Sequence, residues 1–286
     1  MRPSRPPPEA RRALSRTERV AFELADFSCR YLTTPAKAWN SAWMGATLWA
    51  TSSKRTDIVG LEHLAGFGPR DRVLFVCNHR SFFDFFVITA TCFWRTKLSR
   101  RILFPTRSTF FYDHPLGPVV NAAMSAMRMF PPFLRDRGDD RLAFNRWAVE
   151  RCVEELAIPG TVMGLHPEGR RGTGPDPYTL LPAQPGVGRI ALGAEGVHII
   201  PAFVLGLQND LRVELARNWT SPDEHRIDVS FGAPIDLSDL RAKGVSVTTA
   251  LRASKRCSAA IEALGAQQRL RHDRVHKLAN DARATL

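Results

Sequence analysis

The 286-residue sequence lacks an apolar run long enough to cross a bilayer. Its longest uncharged stretch, Ala38 to Ser53, falls short of the ~20 apolar residues of a spanning helix and carries Asn, Ser and Thr. No apolar run follows the basic first residues, so a secretory leader is not expected. Cysteine is sparse: Cys29, Cys77, Cys92, Cys152 and Cys257 are scattered, odd in number and without a CxxC pair. That pattern argues against a disulfide framework and a cysteine zinc site, and for reduced thiols in a cytosolic compartment. No repeat recurs at a fixed period, and no GxSxG elbow advertises an enzyme serine. Acidic residues are in deficit, 28 against 40 Lys and Arg, which leaves a formal charge of +12. An anionic partner is therefore expected: nucleic acid, an anionic lipid surface or a phosphorylated small molecule. With no zinc-finger spacing, RNP-like signature or helix-turn-helix pattern, nucleic acid is the least supported and is set aside.

What is present is enough for one sizeable core, since 44% of the residues are hydrophobic. The positive charge gathers at the start, between Arg95 and Arg107, and in residues 241–286, where ten Lys/Arg face three Asp/Glu. Residues 1–12, rich in Pro and Arg, are expected to be a disordered basic tail. Residues 13–56 read as two amphipathic helices with a break near Thr33-Thr34-Pro35. Trp39 and Trp43 share a helical face there and Trp49 flanks it, so this element either packs as a buried pair or lies in a membrane interface. Residues 57–240 alternate strand-like and helix-like segments. "RVLFVCN", "RILFPT", "GTVMGLHPEG", "VHIIPAFVLG" and "RIDVSFGAP" supply strands, and the intervening runs supply helices, one of them ending at Gly196. Such alternation predicts an α/β fold with a central, largely parallel sheet flanked by helices. Residues 241–286 are expected to be a basic helical extension.

Three stretches carry chemistry. "CNHRSFFDFF" places His79 five residues before Asp84. On one helix the two side chains would diverge by roughly 140°. They converge if the strand ends near Asn78, His79 lies in the loop and a helix begins at Ser81. Ser81 and Asp84 then form a capping box. The same placement lets Asp84 accept the Nδ1 proton of His79 and leaves Nε2 free to take a proton from a substrate hydroxyl or amine. "GLHPEGRRGTG" brushes against a phosphate-loop pattern, but Arg170 and Arg171 stand where Lys and Ser/Thr belong, so a nucleotide loop is rejected. Glu168, Gly169, Arg170 and Arg171 still suit an anion, because a guanidinium binds phosphate with a fork and glycine admits the backbone. "MFPPFLRDRGDD" offers Arg135 and Arg137 as an anion clamp or, equally, as a charged surface turn. His272 and His276 lack a third ligand, and His114 lies in a turn, so no metal site is assigned.

The order of these motifs resembles the glycerolipid acyltransferase family over about residues 57–235, and within it the 1-acylglycerol-3-phosphate (lysophosphatidic acid) acyltransferases. "NHRSFFD" is similar to the family's first motif, and "HPEGRRG" to a third motif usually written FPEGTRS. Arg170 stands where Thr is usual and Gly172 where Ser is usual, which bears on the acceptor more than on the reaction. "HIIPAF" resembles the fourth motif, centred on Pro201, and Phe133-Leu134-Arg135 fits the second loosely, with Arg137 as another register. The resemblance implies a central sheet with flanking helices, an N-terminal two-helix element, acyl-CoA or acyl-carrier protein as co-substrate, and neither a metal cofactor nor a covalent acyl-enzyme. It makes His79 the general base and Asp84 its orienting group. Arg171 with Arg135 or Arg137 would hold the phosphate of a lysophospholipid acceptor, Glu168 would steady that site, and Pro201 would shape the pocket wall. A peripheral or monotopic place on the anionic cytoplasmic face of a membrane follows from the helices and the charge. Three functions stay open: acylation of 1-acylglycerol-3-phosphate to phosphatidic acid, the same chemistry on another lysophospholipid or an amino-acid lipid, and non-catalytic binding of anionic lipid.

Overall fold

The computed structural model describes residues 3–135 and 138–284, with side chains through residue 274. Eight strands are present among them: β1 (Thr56–Val59), β2 (Val73–Cys77), β3 (Arg101–Leu103), β4 (Thr106–Arg107), β5 (Pro132–Phe133), β6 (Thr161–Leu165), β7 (His198–Leu205) and β8 (Ile227–Phe231). Six form one sheet in the order β1-β8-β7-β2-β6-β3. The pairs β7·β2, β2·β6 and β6·β3 are parallel, as is β1·β8, while β8 runs antiparallel to β7. β4 and β5 make a separate parallel pair. The fold is thus α/β with a mostly parallel sheet.

Side-chain alternation along β2 divides the core. Val73, Phe75 and Cys77 join one apolar cluster with the helix Asp84–Arg95. Leu74 and Val76 join the other, with the helices Arg16–Tyr31, Asp139–Leu156 and Pro185–Gly193. Both faces of the strand are covered, which is why β2 and β6 read as unbroken apolar runs. Gly164 of β6 is a close-approach position. A Cβ built there would meet the Phe85 ring at 2.1 Å. Gly164→Ala is expected to lower stability by about 1–3 kcal/mol, the usual range for overpacking. Urea unfolding checks this, and an unchanged midpoint would show that Phe85 yields freely.

Several boundaries differ from expectation. The helix after β2 begins at Asp84, not Ser81. The helix expected to end at Gly196 ends at Gly193, capped by Ala194. The break in the N-terminal helices falls at Leu32, and Pro35 sits in the first turn of the next helix, where its missing N–H costs nothing. A helix at Leu211–Thr220 was not anticipated.

The expected disorder at the start of the chain is replaced by packed structure from residue 3 onward, including a helical turn at Pro8–Arg12. The cause is a set of buried cations that need acceptors. Arg30 donates to the carbonyls of Pro3 and Ser4 at 2.8 Å each, and the fully buried Arg151 donates to the Ser4 carbonyl at 2.7 Å. Asp26 and Glu155 balance the charge. At the other end, the helix Val247–Ala284 is no mere extension. Ala250, Ala253, Cys257 and Ile261, at helical spacing, are fully buried. Gly188 of the helix Pro185–Gly193 lies close enough that a Cβ would touch the Ala250 carbonyl oxygen.

Candidate active site

The strands β2, β6 and β7 run side by side, and their carboxyl ends open into loops that carry His79, His166, Glu168 and Asn209. This is where ligands bind in open α/β sheets. Asn78 ends β2 by imitating a backbone rung. Its side chain donates to the Val204 carbonyl at 2.7 Å and accepts from the Val204 N–H at 2.8 Å. The strand is locked to β7 up to that residue, and the next one, His79, leaves the sheet.

Asp84 is the pivot of the loop. One oxygen, Oδ2, accepts from the backbone N–H groups of Arg80 and Ser81 at 2.7 and 2.8 Å and faces His79 Nδ1 at 3.4 Å. Ser81 Oγ accepts from Phe83 N–H at 3.1 Å, not from Asp84. The expected capping box is therefore half formed: the carboxylate reaches back, but the hydroxyl bonds one residue early, because the helix starts late. The carboxylate is 1% exposed and the imidazole 20%. Burial pushes Asp84 up to about 6, against the pull of His166, the two backbone N–H groups and Arg171. Burial, then the positive charges of Arg171 and Arg107, pushes His79 down to about 4. At neutral pH the imidazole is therefore unprotonated, while Asp84, with its pKa raised to about 6, is still mostly ionised.

Glu168 is buried, with both carboxylate oxygens engaged by backbone. It accepts from His79 N–H and Leu181 N–H, each at 2.8 Å. Expected to steady the site, it ties the loop after β2 to the loop after β6, and among the described residues its hydrogen-bond partners are these two backbone N–H groups. Gly172 N–H adds a second tie to the His79 carbonyl at 2.8 Å. Gly169 turns the chain with φ of +65°, in the left-handed region that favours glycine. Arg171, exposed, donates to Asn209 Oδ1 at 2.9 Å, and the same oxygen accepts from Phe82 N–H at 2.8 Å. This tether holds the guanidinium at the rim of the histidine site. Arg170 is exposed beside it.

The remaining expected residues fall elsewhere. Arg135 is exposed two residues beyond β5, and no contact links it to His79 or Arg171. Arg137 lies outside the described residues. Besides Arg171, an arginine whose charge lowers the His79 pKa is Arg107, on β4 alongside β5. Pro201 was expected in the wall of this pocket, but it lines a different cleft of about 320 Å³ with Gly232, Leu264 and Arg271. That cleft shares no lining residue with His79, Asp84 or Arg171. Strand alternation is the reason: Pro201 has the parity of Ile199 and Phe203, whose cluster includes the helix Val247–Ala284.

One residue went unnoticed in the sequence. The His166 ring lies against that of His79 with centroids 3.9 Å apart and planes within 11°. Its Nδ1 is 2.9 Å from the Asn78 carbonyl and 3.1 Å from that of Cys77. The available signal was the motif itself, which begins with histidine here and is usually written with phenylalanine.

The site thus brings together an imidazole, a buried carboxylate facing its Nδ1, and the Arg171 guanidinium at the rim. Comparison with known families supplies the reaction: the sequence model of the acyltransferase family matches residues 55–205, more than half of the chain, and the chain belongs to that family. The match runs from before β1 to the end of β7 and includes His79, Asp84, Glu168, Arg171 and Pro201. Comparison with curated proteins gave no match. The protein is therefore an acyltransferase, and an acyl donor and a lipid acceptor are its general partners.

Proposed function

We propose that the protein moves a fatty acyl chain from acyl-CoA or acyl-carrier protein to the free hydroxyl of a lysophospholipid, with 1-acylglycerol-3-phosphate as acceptor and phosphatidic acid as product. The carrying observation is the His79–Asp84 pair with Arg171 at its rim. Asp84 takes the Nδ1 side of the ring, so Nε2 receives the acceptor's hydroxyl proton. The oxygen attacks the thioester carbonyl, a C–O bond forms, and the C–S bond breaks. The departing thiolate takes the proton back from the imidazolium, which restores the base. Arg171 and Arg107 hold the phosphate, and Glu168 keeps the two loops in register. The phenylalanines Phe82, Phe83, Phe86 and Phe104, which contact one another or lie one turn apart, supply an apolar wall for the chain.

The enzyme works at a membrane surface. No helix among the described residues is long and apolar enough to cross a membrane. The outer side of the N-terminal helices nevertheless carries Phe27, Tyr31, Trp39, Trp43 and Trp49, each about half exposed, and Trp219 packs beside Trp49. Tryptophan and tyrosine favour the headgroup region, and a +12 protein is drawn to anionic lipid. Arg170 beside Arg171 supports a second choice of acceptor, a lysolipid whose headgroup carries further negative charge.

The test is a panel of lysolipids and an amino-acid lipid, offered with acyl-CoA to purified protein and read by mass spectrometry. Product from 1-acylglycerol-3-phosphate is expected, and product from another acceptor alone would refute that choice. Arg171→Ala is expected to raise the acceptor KM by about 10- to 100-fold, the worth of one hydrogen bond to a charged group, with the donor KM nearly unchanged. An unchanged acceptor KM would discredit the phosphate clamp.

A further inference from the structure

We propose that His166 is a positioning residue for the base, which holds the His79 ring in the plane where Nδ1 faces Asp84. The inference rests on the reading of His79 as the base and adds a residue with no role so far. Its ground is geometric. The two rings are parallel to within 11° at 3.9 Å, a stacked contact between imidazoles that come from the ends of neighbouring strands, β2 and β6.

A flat stack fixes a plane only if the supporting ring is itself fixed. His166 meets that condition. Its Nδ1–H points at the carbonyls of Asn78 and Cys77, at 2.9 and 3.1 Å. Both carbonyls belong to the segment from which His79 departs, so ring and base share one anchor. The bond also sets the His166 tautomer, with the proton on Nδ1. Asn78, in turn, is clamped to Val204 on both sides of its amide. The chain of restraint therefore runs from β7 through Asn78 to His166 and onto His79.

The need for such a brace is visible on the other side of the base. Nδ1 of His79 stands 3.4 Å from Asp84 Oδ2, near the outer limit of a hydrogen bond, while that oxygen already serves two backbone N–H groups. One long contact to a shared oxygen leaves the ring free to rock, and the stack removes that freedom. Small angular errors matter at this atom, because proton transfer depends on the line between donor and acceptor. The groups facing the pair are Asp84, Glu168, Arg171, Arg107 and the Cys77 thiol. Burial, then the charge of His79, pushes His166 down to about 3, against the pull of Asp84 and of the Cys77 and Asn78 carbonyls. It therefore stays neutral while His79 cycles through its cation, and a neutral aromatic face against that cation is favourable.

Phenylalanine and alanine separate the parts of this role. His166→Phe keeps a ring to stack but loses the anchor to the carbonyls, and His166→Ala loses both. We expect kcat to fall about 10-fold in the first and about 100-fold in the second, with donor and acceptor KM unchanged, as for a misaligned catalytic group. Ring ¹⁵N NMR of His79 gives a readout that needs no turnover. The Nδ1–H form is expected to dominate in the native protein and to give way to a mixture of tautomers in both variants. Thermal melts identify a variant that has not folded, in which case the NMR of the phenylalanine variant decides. Native kcat and a single His79 tautomer in His166→Phe would overturn the proposal. Full activity in His79→Ala would instead overturn the base itself, so the two failures cannot be confused.

Discussion

Replacing His79 by alanine is expected to lower kcat for acyl transfer by about 10²- to 10⁴-fold, the range a positioned side-chain base contributes. Both Michaelis constants stay within about twofold of native, since the imidazole acts on the proton in flight and not on the bound ground state. The neighbouring carboxylates are already engaged: both oxygens of Glu168 hold backbone N–H groups, and Asp84 Oδ2 holds two more. The pH profile of the native enzyme adds a signature. Activity is expected to be level at neutral pH and to fall as pH drops through about 6, where Asp84 takes up a proton and stops bracing the ring. It falls further through about 4, where His79 itself is protonated. Thioester release followed with both proteins across that range is the measurement. Equal rates for native and alanine proteins would leave only the lipid-binding alternative.

The chemistry of this site was legible where it depends on order along the chain, and obscure where it depends on which face a residue takes. "RVLFVCN" declares a doubly buried strand, so a loop at His79 that lets it meet Asp84 could be expected beyond its end, although the helix begins at Asp84 and not at Ser81. The fold class follows from the alternation of segments. The direction of Pro201 does not, because a strand buried on both sides shows no polar face to mark its parity. Arg107 escaped for a related reason: its strand is two residues long and pairs with another of two residues, too short for any periodic signal. The order at the start of the chain was hidden by composition. Pro and Arg predict disorder for an isolated segment, but here the carbonyls of Pro3 and Ser4 are what two arginines require. His166 was in plain view in "HPEG", yet no spacing rule links it to His79. The link exists only because β2 and β6 are adjacent and in parallel register.

Asp84→Asn should act in opposite directions on rate and on stability. An amide of the same shape still offers an oxygen to Arg80 and Ser81 N–H, so the loop keeps its fold. It carries no charge to hold the His79 cation, and kcat is expected to fall by about 100-fold or more. Stability moves the other way because the carboxylate is buried at 1% exposure and burial is the largest influence on it. Its pKa in the folded protein, about 6, lies above the ordinary value of 3.8, so ionisation at neutral pH works against folding. At 1.36 kcal/mol per pH unit the opposition is about 3 kcal/mol, and Asn is expected to recover about 1–3 of it. The sign fixes the pH window. The opposition is complete above about 6, shrinks as pH falls towards 3.8 and vanishes below, where the native Asp84 is protonated in both folded and unfolded chains. His79, with its lowered pKa, weakens the fold in acid, but it does so in native and variant alike and drops out of the difference to first order. Urea unfolding of both proteins at about pH 7.5 and about pH 4 therefore gives a gap that closes on acidification. A variant less stable than native at the higher pH, or a gap that stays constant, would show that Asp84 is held by its hydrogen bonds more than it is strained by burial. A closing gap together with a lost rate would mark Asp84 as a carboxylate kept in place for catalysis at the expense of stability.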